Sequence, residues 1–229
     1  NKSVDGTVQQ LERDYPEIHL IKNNVNRGVA TARNQGIRLA RGRYILILDA
    51  DTEIISQNVA DLIQFMDVNK NIGLIGCSML TGDGKPYASA RTLPSPRHVI
   101  MRRLAYYGIL SDSELLKKHH LESGDITHPT IVGYVIGAFQ LIRKECADIV
   151  GLLDEEMFYG YEDADYCARM KKAGFEVVFF PNFLIKHYVQ AVTRKNIFSK
   201  LMYEQLRSYV KFYIKHRDLI GKEKTGEYV

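Results

Sequence analysis

The chain has 229 residues, 45% hydrophobic, 25% charged and 10% aromatic, and its 31 Lys and Arg against 27 Asp and Glu leave a formal net charge of +4. A chain this long buries about 70 to 75% of the surface its unfolded form exposes, which supports a full core and excludes a disordered, collagen-like or disulfide-stapled polypeptide. The charge excess is too mild for a dedicated nucleic-acid binder, so no nucleic-acid partner is expected.

In chain order, residues 7–14 read as the end of a helix and residues 18–22 as a short strand, closed by the turn-rich Asn23 to Gly28. From Val29 to Ala40 the small and apolar residues fall at helical spacing, and Gly42 supplies a stop. Tyr44 to Leu48 is apolar without alternation, which predicts a strand covered on both faces in a mainly parallel sheet between helix layers. A helix over 57–68 and a strand over 72–76 continue the alternation, so the first half reads as α/β. Residues 81–130 are rich in Gly and Pro and read as functional loops around a helical piece at 97–107. Strands follow at 135–143, 176–180 and 183–188, with a helix over 162–173 closed by Gly174. A long helix is expected over 195–217. Nine Lys and Arg between Arg194 and Lys224 face only Glu204, Asp218 and Glu223, so it reads either as an ordinary surface helix or as one that docks on an acidic lipid surface.

Cys77, Cys146 and Cys167 lie outside any CxxC or Cys/His spacing and read as reduced thiols of a cytoplasmic protein. The longest uncharged stretch, Thr127 to Ile142, is interrupted by His128, Pro129, Gly133 and Gly137 and is too short to span a bilayer. No signal-peptide pattern opens the chain, and because residue 1 is Asn it is expected to begin inside a longer reading frame.

Two acidic pairs carry the chemistry. Asp49 and Asp51 follow the Tyr44 strand, where open α/β sheets place ligands, and two carboxylates one residue apart can hold Mg²⁺ or Mn²⁺ on a nucleotide diphosphate. A strand-terminating Asx turn would account for them equally. Glu162, Asp163 and Asp165 open a helix, where N-terminal N–H groups and the helix dipole favour carboxylates. One of them, projecting from a rigid helix start, could take the proton of an attacking hydroxyl. A lone His such as His187 is more often structural than a ligand, and Arg27, Arg33 and Arg38 partly serve to solvate a helix face.

With these residues in view, the chain resembles the inverting, GT-A-fold glycosyltransferases of family 2. Asn1-Lys-Ser-Val-Asp-Gly-Thr7 resembles the N-x-S-x-D-G-T turn of that family, and Asn26-Arg-Gly28 with Ala32-Arg-Asn34 and Gly36 its N-x-G…A-R-N-x-G helix start. Tyr44 to Thr52 is similar to its strand and metal loop, and Gly137 to Glu145 to its G-A-x-x-L-I-R-R-E strand. Phe158 to Asp165, Arg169, Lys172-Ala-Gly174, Pro181 and His187 follow its second-half signature. The blocks from Arg91 to His128 and from Phe158 to Asp165 look most like rhamnosyltransferase-type members that build bacterial surface polysaccharides.

The resemblance implies a GT-A, Rossmann-like mixed sheet, with residues 1–80 as the nucleotide-sugar half, 81–190 as the acceptor-binding and catalytic half, and 191–229 as a basic helical extension. It implies that Asp49 contacts the nucleotide ribose side, with Arg33 and Asn26 near the nucleotide and Gly137 bordering sugar and acceptor. Asp51 and His187 would serve the metal, Mn²⁺ or Mg²⁺, while Asp163 is the catalytic base and Glu162 helps hold the acceptor. The implied reaction is metal-dependent inverting transfer from a UDP- or dTDP-sugar to a glycan or lipid-linked acceptor. The alternative is a non-catalytic nucleotide- or sugar-binding module of the same fold. Family members carry two further strands upstream of the first turn, so the chain is expected to be an N-terminally truncated piece, or to self-associate so that another copy covers the gap. The implied location is cytoplasmic, with peripheral contact on the inner membrane face.

Overall fold

A computed structural model describes residues 1–56, 58–106, 108, 114–121, 126–188 and 199–228. Four apolar segments lie side by side in its central sheet: β1 (Tyr44–Leu48), β8 (Phe139–Arg143), β3 (Ile72–Thr81) and β9 (Glu176–His187). β8 is antiparallel to both β1 and β3, and β3 is parallel to β9, so β1, β3 and β9 share one direction and β8 opposes them. Three short strands extend this frame through β9. β2 (Thr52–Ile54) and β6 (Thr130–Ile131) pair with it antiparallel, and β10 (Gly226–Glu227) pairs in turn with β6. β4 (Pro86–Tyr87) folds back on β3, while β5 (Ala90–Arg91) and β7 (Tyr134–Val135) form a separate ladder.

Strand alternation splits the core into two layers. Leu74, Val177, Phe179 and Ile142 pack under α2 (Val29–Leu39), α6 (Lys144–Val150), α7 (Glu162–Lys172) and α8 (Lys200–His216). Ile75, Val178, Phe180 and Leu141 pack on the opposite side with Leu62 and Met66 of α3 (Val59–Val68). α1 (Thr7–Asp14) buries no residue, and α4 (Pro96–Tyr106) packs against α5 (Glu114–His120). Among the described residues no helix is long and apolar enough to cross a membrane.

Several sequence expectations need correction. Coverage on both faces holds for β3 and β9 but not for β1, whose Ile45 and Ile47 are buried while Leu46 and Leu48 remain 39% and 41% exposed. β1 ends the hydrogen-bonded order, and the α3 layer lies over β3 and β9. Residues 18–22 form no strand, because a strand needs a ladder and they find none among the described residues. The strand expected over 135–143 divides into β7 and β8 around a turn at Gly137. Conversely, 176–180 and 183–188 join into β9, which passes Pro181 through a register shift opposite Cys77 and Ser78. The last helix begins at Lys200; the expected start at 195 lies outside the described residues, as do residues 57 and 107.

Candidate active site

The loop after β1 is pinned from both sides. The Asp49 N–H donates to the Ala138 carbonyl at 3.1 Å, the Thr52 hydroxyl to the Asp49 carbonyl at 2.6 Å, and the Tyr188 N–H to the Asp51 carbonyl at 2.8 Å. Because β2 runs antiparallel to the end of β9, Thr52 stands opposite His187. The His187 Nε2 then lies 3.2 Å from the Asp51 carboxylate, and one ligand atom each from Asp49, Asp51 and His187 falls within 4.8 Å of the others. The His187 Nδ1 is buried without a hydrogen-bond partner among the described residues.

Arg33, on the second turn of α2, ties this loop to the second acidic pair. Its guanidinium donates to Asp49 at 2.7 Å, to the Gly137 carbonyl at 2.9 Å and to Glu162 at 2.9 Å. Such a planar fork suits several acceptors at fixed angles. Burial opposes the Arg33 charge, but attraction to Glu162 and Asp49 prevails and raises its pKa. A methyl at Gly137 would sit 2.3 Å from the guanidinium, so the glycine is what admits it. The Gly137 N–H in turn donates to Asp163 at 3.0 Å, and the Ala164 N–H holds the other Asp163 oxygen at 2.8 Å. Asp49, Glu162 and Asp163 are thus joined through one guanidinium and the backbone N–H and carbonyl of one glycine.

Glu162 is the most perturbed carboxyl of the group. Burial, then repulsion from Asp163, pushes its pKa up to about 7 against the pull of Arg33. One of its oxygens, Oε2, is buried and accepts no hydrogen bond among the described residues. Tyr161 precedes it with φ 67° and turns the chain into α7, wedged against Tyr209 and Phe212 of α8.

Asn26 stands apart from this cluster. Its side-chain carbonyl accepts from the Gly28 N–H at 2.9 Å and from Asn1 at 3.0 Å, an Asx turn that starts α2. Gly28, at φ 83°, lies so close to Phe158 that an added methyl would meet the Phe158 carbonyl at 2.7 Å, so the start of α2 and the segment before α7 are in direct contact. Arg38 pairs with Glu155 at the surface. Asn34, which drew no role from its sequence position beyond the motif, is buried and exchanges two 2.9 Å hydrogen bonds with the Leu153 backbone. Arg91 and Tyr134 were also missed. They are buried, Arg91 reaches the Tyr134 hydroxyl at 3.3 Å, and the charge of Asp163 acts on both. Arg91 lies in the irregular 81–130 region, where no period marks a buried side chain.

This arrangement and the mixed sheet beneath it are of the glycosyltransferase kind. The family model described as Glycosyl transferase family 2 matches residues 1–148, and the chain belongs to that family. A second model, N-terminal domain of galactosyltransferase, matches residues 112–194. The chain is similar to the dTDP-rhamnosyl transferase RfbF of Shigella flexneri, 28% identical over 188 residues that make up 80% of this chain and 56% of that protein. It is also similar to the N-acetylglucosaminyl-diphospho-decaprenol L-rhamnosyltransferase of Mycobacterium tuberculosis, 25% identical over 92% of this chain and 71% of that protein. Among solved structures it resembles GalNAc-T7 with UDP, GalNAc and Mn²⁺, with a TM-score of 0.62 at 16% identity, covering 92% of this chain and 39% of that one. The mannosyltransferase PcManGT from Pyrobaculum calidifontis, in complex with GDP-Man and Mn²⁺, gives a TM-score of 0.57 at 16% identity, covering 94% and 52%. The fold is accordingly the GT-A type.

Proposed function

We propose that this family 2 protein transfers a sugar from a nucleotide diphosphate sugar to an acceptor hydroxyl in a single inverting displacement. The observation that carries this reading is the Arg33 guanidinium, which binds Asp49 after β1 and Glu162 at the start of α7 simultaneously and so draws both acidic pairs to one place. Two carboxylates and an imidazole within 4.8 Å fit a hard divalent cation, Mn²⁺ or Mg²⁺, with positions left for diphosphate oxygens. Asp51 and His187 would hold it, with the Asp49 oxygen that Arg33 leaves free as a third donor or as the contact to the ribose. When bound, the cation offsets the negative charge that develops on the departing diphosphate.

The other roles fall to this chain's own groups. The Asp163 carboxylate, oriented by the Gly137 and Ala164 N–H groups, takes the proton of the acceptor hydroxyl as that oxygen attacks. The unpartnered Glu162 Oε2 accepts a hydrogen bond from the acceptor, and Arg33 keeps Glu162 and Asp49 in register. The names of the relatives favour a dTDP-sugar donor and a lipid-linked acceptor; a UDP-sugar, a glycan acceptor and a part in building surface polysaccharide are what the family resemblance adds. A diphosphate-bearing donor does not cross a bilayer unaided, so the proposed compartment is the cytoplasm.

Asp163→Asn tests the assignment. Transfer should fall about 10²- to 10⁴-fold, the usual worth of a general base, while calorimetric nucleotide binding stays unchanged. Undiminished transfer by this variant would remove Asp163 as the base. Nucleotide binding by the wild-type protein with no transfer to any acceptor would favour a non-catalytic module instead.

A further inference from the structure

α8 is apolar on two sides. Its inner face buries Ser208, Tyr209, Phe212 and His216, and the helix is locked to the domain by His216 on Asp165 at 2.9 Å and Lys211 on Glu156 at 2.7 Å. The outer face nevertheless carries four large hydrophobic residues, Tyr203, Leu206, Val210 and Ile214, each between 47% and 66% exposed. At about 100° per residue, Leu206, Arg217, Val210, Tyr203, Ile214, Arg207 and Lys200 follow one another across an arc of about 120°. No acid lies within that arc. Glu204 lies beyond it, with its side chain 14% exposed and 3.7 Å from Arg207. Asp218, past the helix end, pairs with Lys172 at 3.0 Å.

We propose that this outer face of α8 docks on an anionic lipid bilayer, with Tyr203, Leu206, Val210 and Ile214 entering the headgroup boundary while Lys200, Arg207 and Arg217 meet the lipid phosphates. The proposal goes beyond sugar transfer and does not depend on it. An apolar stripe flanked only by cations is complementary to a surface that is apolar beneath and negative above. A second copy fits less well. A two-fold contact through this face would bring the Arg207 and Arg217 pair of one copy against the same pair of the other, and like charges facing each other oppose association. The inner-face contacts hold the helix flat, so docking needs no rearrangement of the domain. Tyr161, which packs on that inner face through Tyr209 and Phe212, sits one residue before Glu162. The docked helix would therefore hold the start of α7 close to the bilayer.

Flotation of the full-length protein with vesicles of phosphatidylglycerol and phosphatidylcholine, compared with phosphatidylcholine alone, tests the proposal. The wild type should bind the anionic vesicles in preference and release them as salt is raised. Arg207→Gln with Arg217→Gln should weaken that binding about 25-fold, near fivefold for each cation lost. Val210→Ser with Ile214→Ser should weaken it at least about tenfold. All these positions are exposed, and unchanged thermal melts will show that the variants fold. Absence of binding, equal binding to neutral and anionic vesicles, or variants that bind like the wild type would each overturn the proposal. So would sedimentation showing a wild-type dimer that Val210→Ser with Ile214→Ser converts to a monomer, since the face would then be a contact between copies.

Discussion

The spacing Asp-x-Asp occurs twice, at Asp49 and Asp51 and again at Asp163 and Asp165, and the two copies meet different fates. In the first, the pair follows a strand, and both carboxylates lie within reach of His187. In the second, the pair opens a helix, where residues two apart point about 200° away from each other. Asp163 therefore faces Gly137, while Asp165 turns into the interior and is held by Arg169 at 2.8 Å and His216 at 2.9 Å. Burial raises the Asp165 pKa, but its bonds to His216 and Arg169 outweigh that and hold the carboxyl below its ordinary value. The same three letters thus bring two carboxylates beside one histidine in a loop and, on a helix, send one carboxylate toward Gly137 and the other into the core. Backbone geometry, not composition, separates them.

The sharpest way to break this contrast is to remove one carboxylate from each copy. Asp165→Ala leaves Arg169 and His216 against a buried gap, and breaking a buried pair costs about 3 to 5 kcal/mol. For a domain of this size that lowers the melting temperature by about 10 °C. Asp51→Ala should change stability by less than about 1 kcal/mol, because Asp51 is partly exposed and its imidazole partner is neutral unless protonated. Its effect should instead appear in calorimetry, as loss of the Mn²⁺-dependent part of nucleotide binding. If Asp51→Ala melted lower than Asp165→Ala, the division between site and core would be wrong.

Much of this was legible in the chain. The helices α1, α2, α3 and α7 were all expected, α2 and α7 with glycine stops, and their ends fall within about two residues of expectation. The apolar runs of β3 and β9 were visible because strands covered by helices need no polar alternation, and β1 shows the same run although one of its faces is open. What stayed hidden depends on partners distant in sequence. Nothing local tells residues 18–22 that no ladder awaits them, or tells Leu46 that its side of β1 stays open. The site divides in the same way. The two acidic pairs stood out by type and place, and the resemblance supplied the roles of Asp163 and His187, but Arg33 as the link between the pairs spans 129 positions to Glu162. Arg91 gave no signal at all, because a buried cation in an irregular segment has no period to betray it.

Gly137→Ala sharpens the comparison from the other side, since Gly137 joins the two acidic pairs without being acidic itself. The added methyl would occupy the place of the Arg33 guanidinium, at 2.3 Å from its nitrogen, and the side chain must withdraw from Asp49 and Glu162. Each hydrogen bond to a charged group is worth about 1.5 to 3 kcal/mol, so nucleotide affinity or transfer should fall about tenfold or more. The backbone is under no strain at this position, so the fold should survive with nearly unchanged circular dichroism. Arg33→Lys should give a similar loss, because an ammonium cannot serve three acceptors in one plane. If Gly137→Ala retained wild-type affinity and rate, the link through Arg33 would be dispensable.

The last test reads the second acidic pair through the dependence of stability on pH that Glu162 introduces. Its carboxyl titrates at about 7 in the folded protein against an ordinary value of 4.5, because burial and then Asp163 disfavour its charge more than Arg33 favours it. Below about pH 4.5 both the folded and the unfolded forms carry the proton, and the group contributes no slope. Between about pH 4.5 and pH 7 the unfolded chain releases a proton that the folded protein retains, so stability falls as pH rises, and above that range the decline levels off. Glu162→Gln keeps the shape, cannot ionise, and should lose this segment of the slope, melting higher than the wild type near pH 8 and no higher near pH 5. Thermal melts of both proteins across that range decide the matter. Parallel curves would mean that Arg33 keeps Glu162 ionised throughout, which would make the guanidinium, rather than burial, the dominant influence on the second acidic pair.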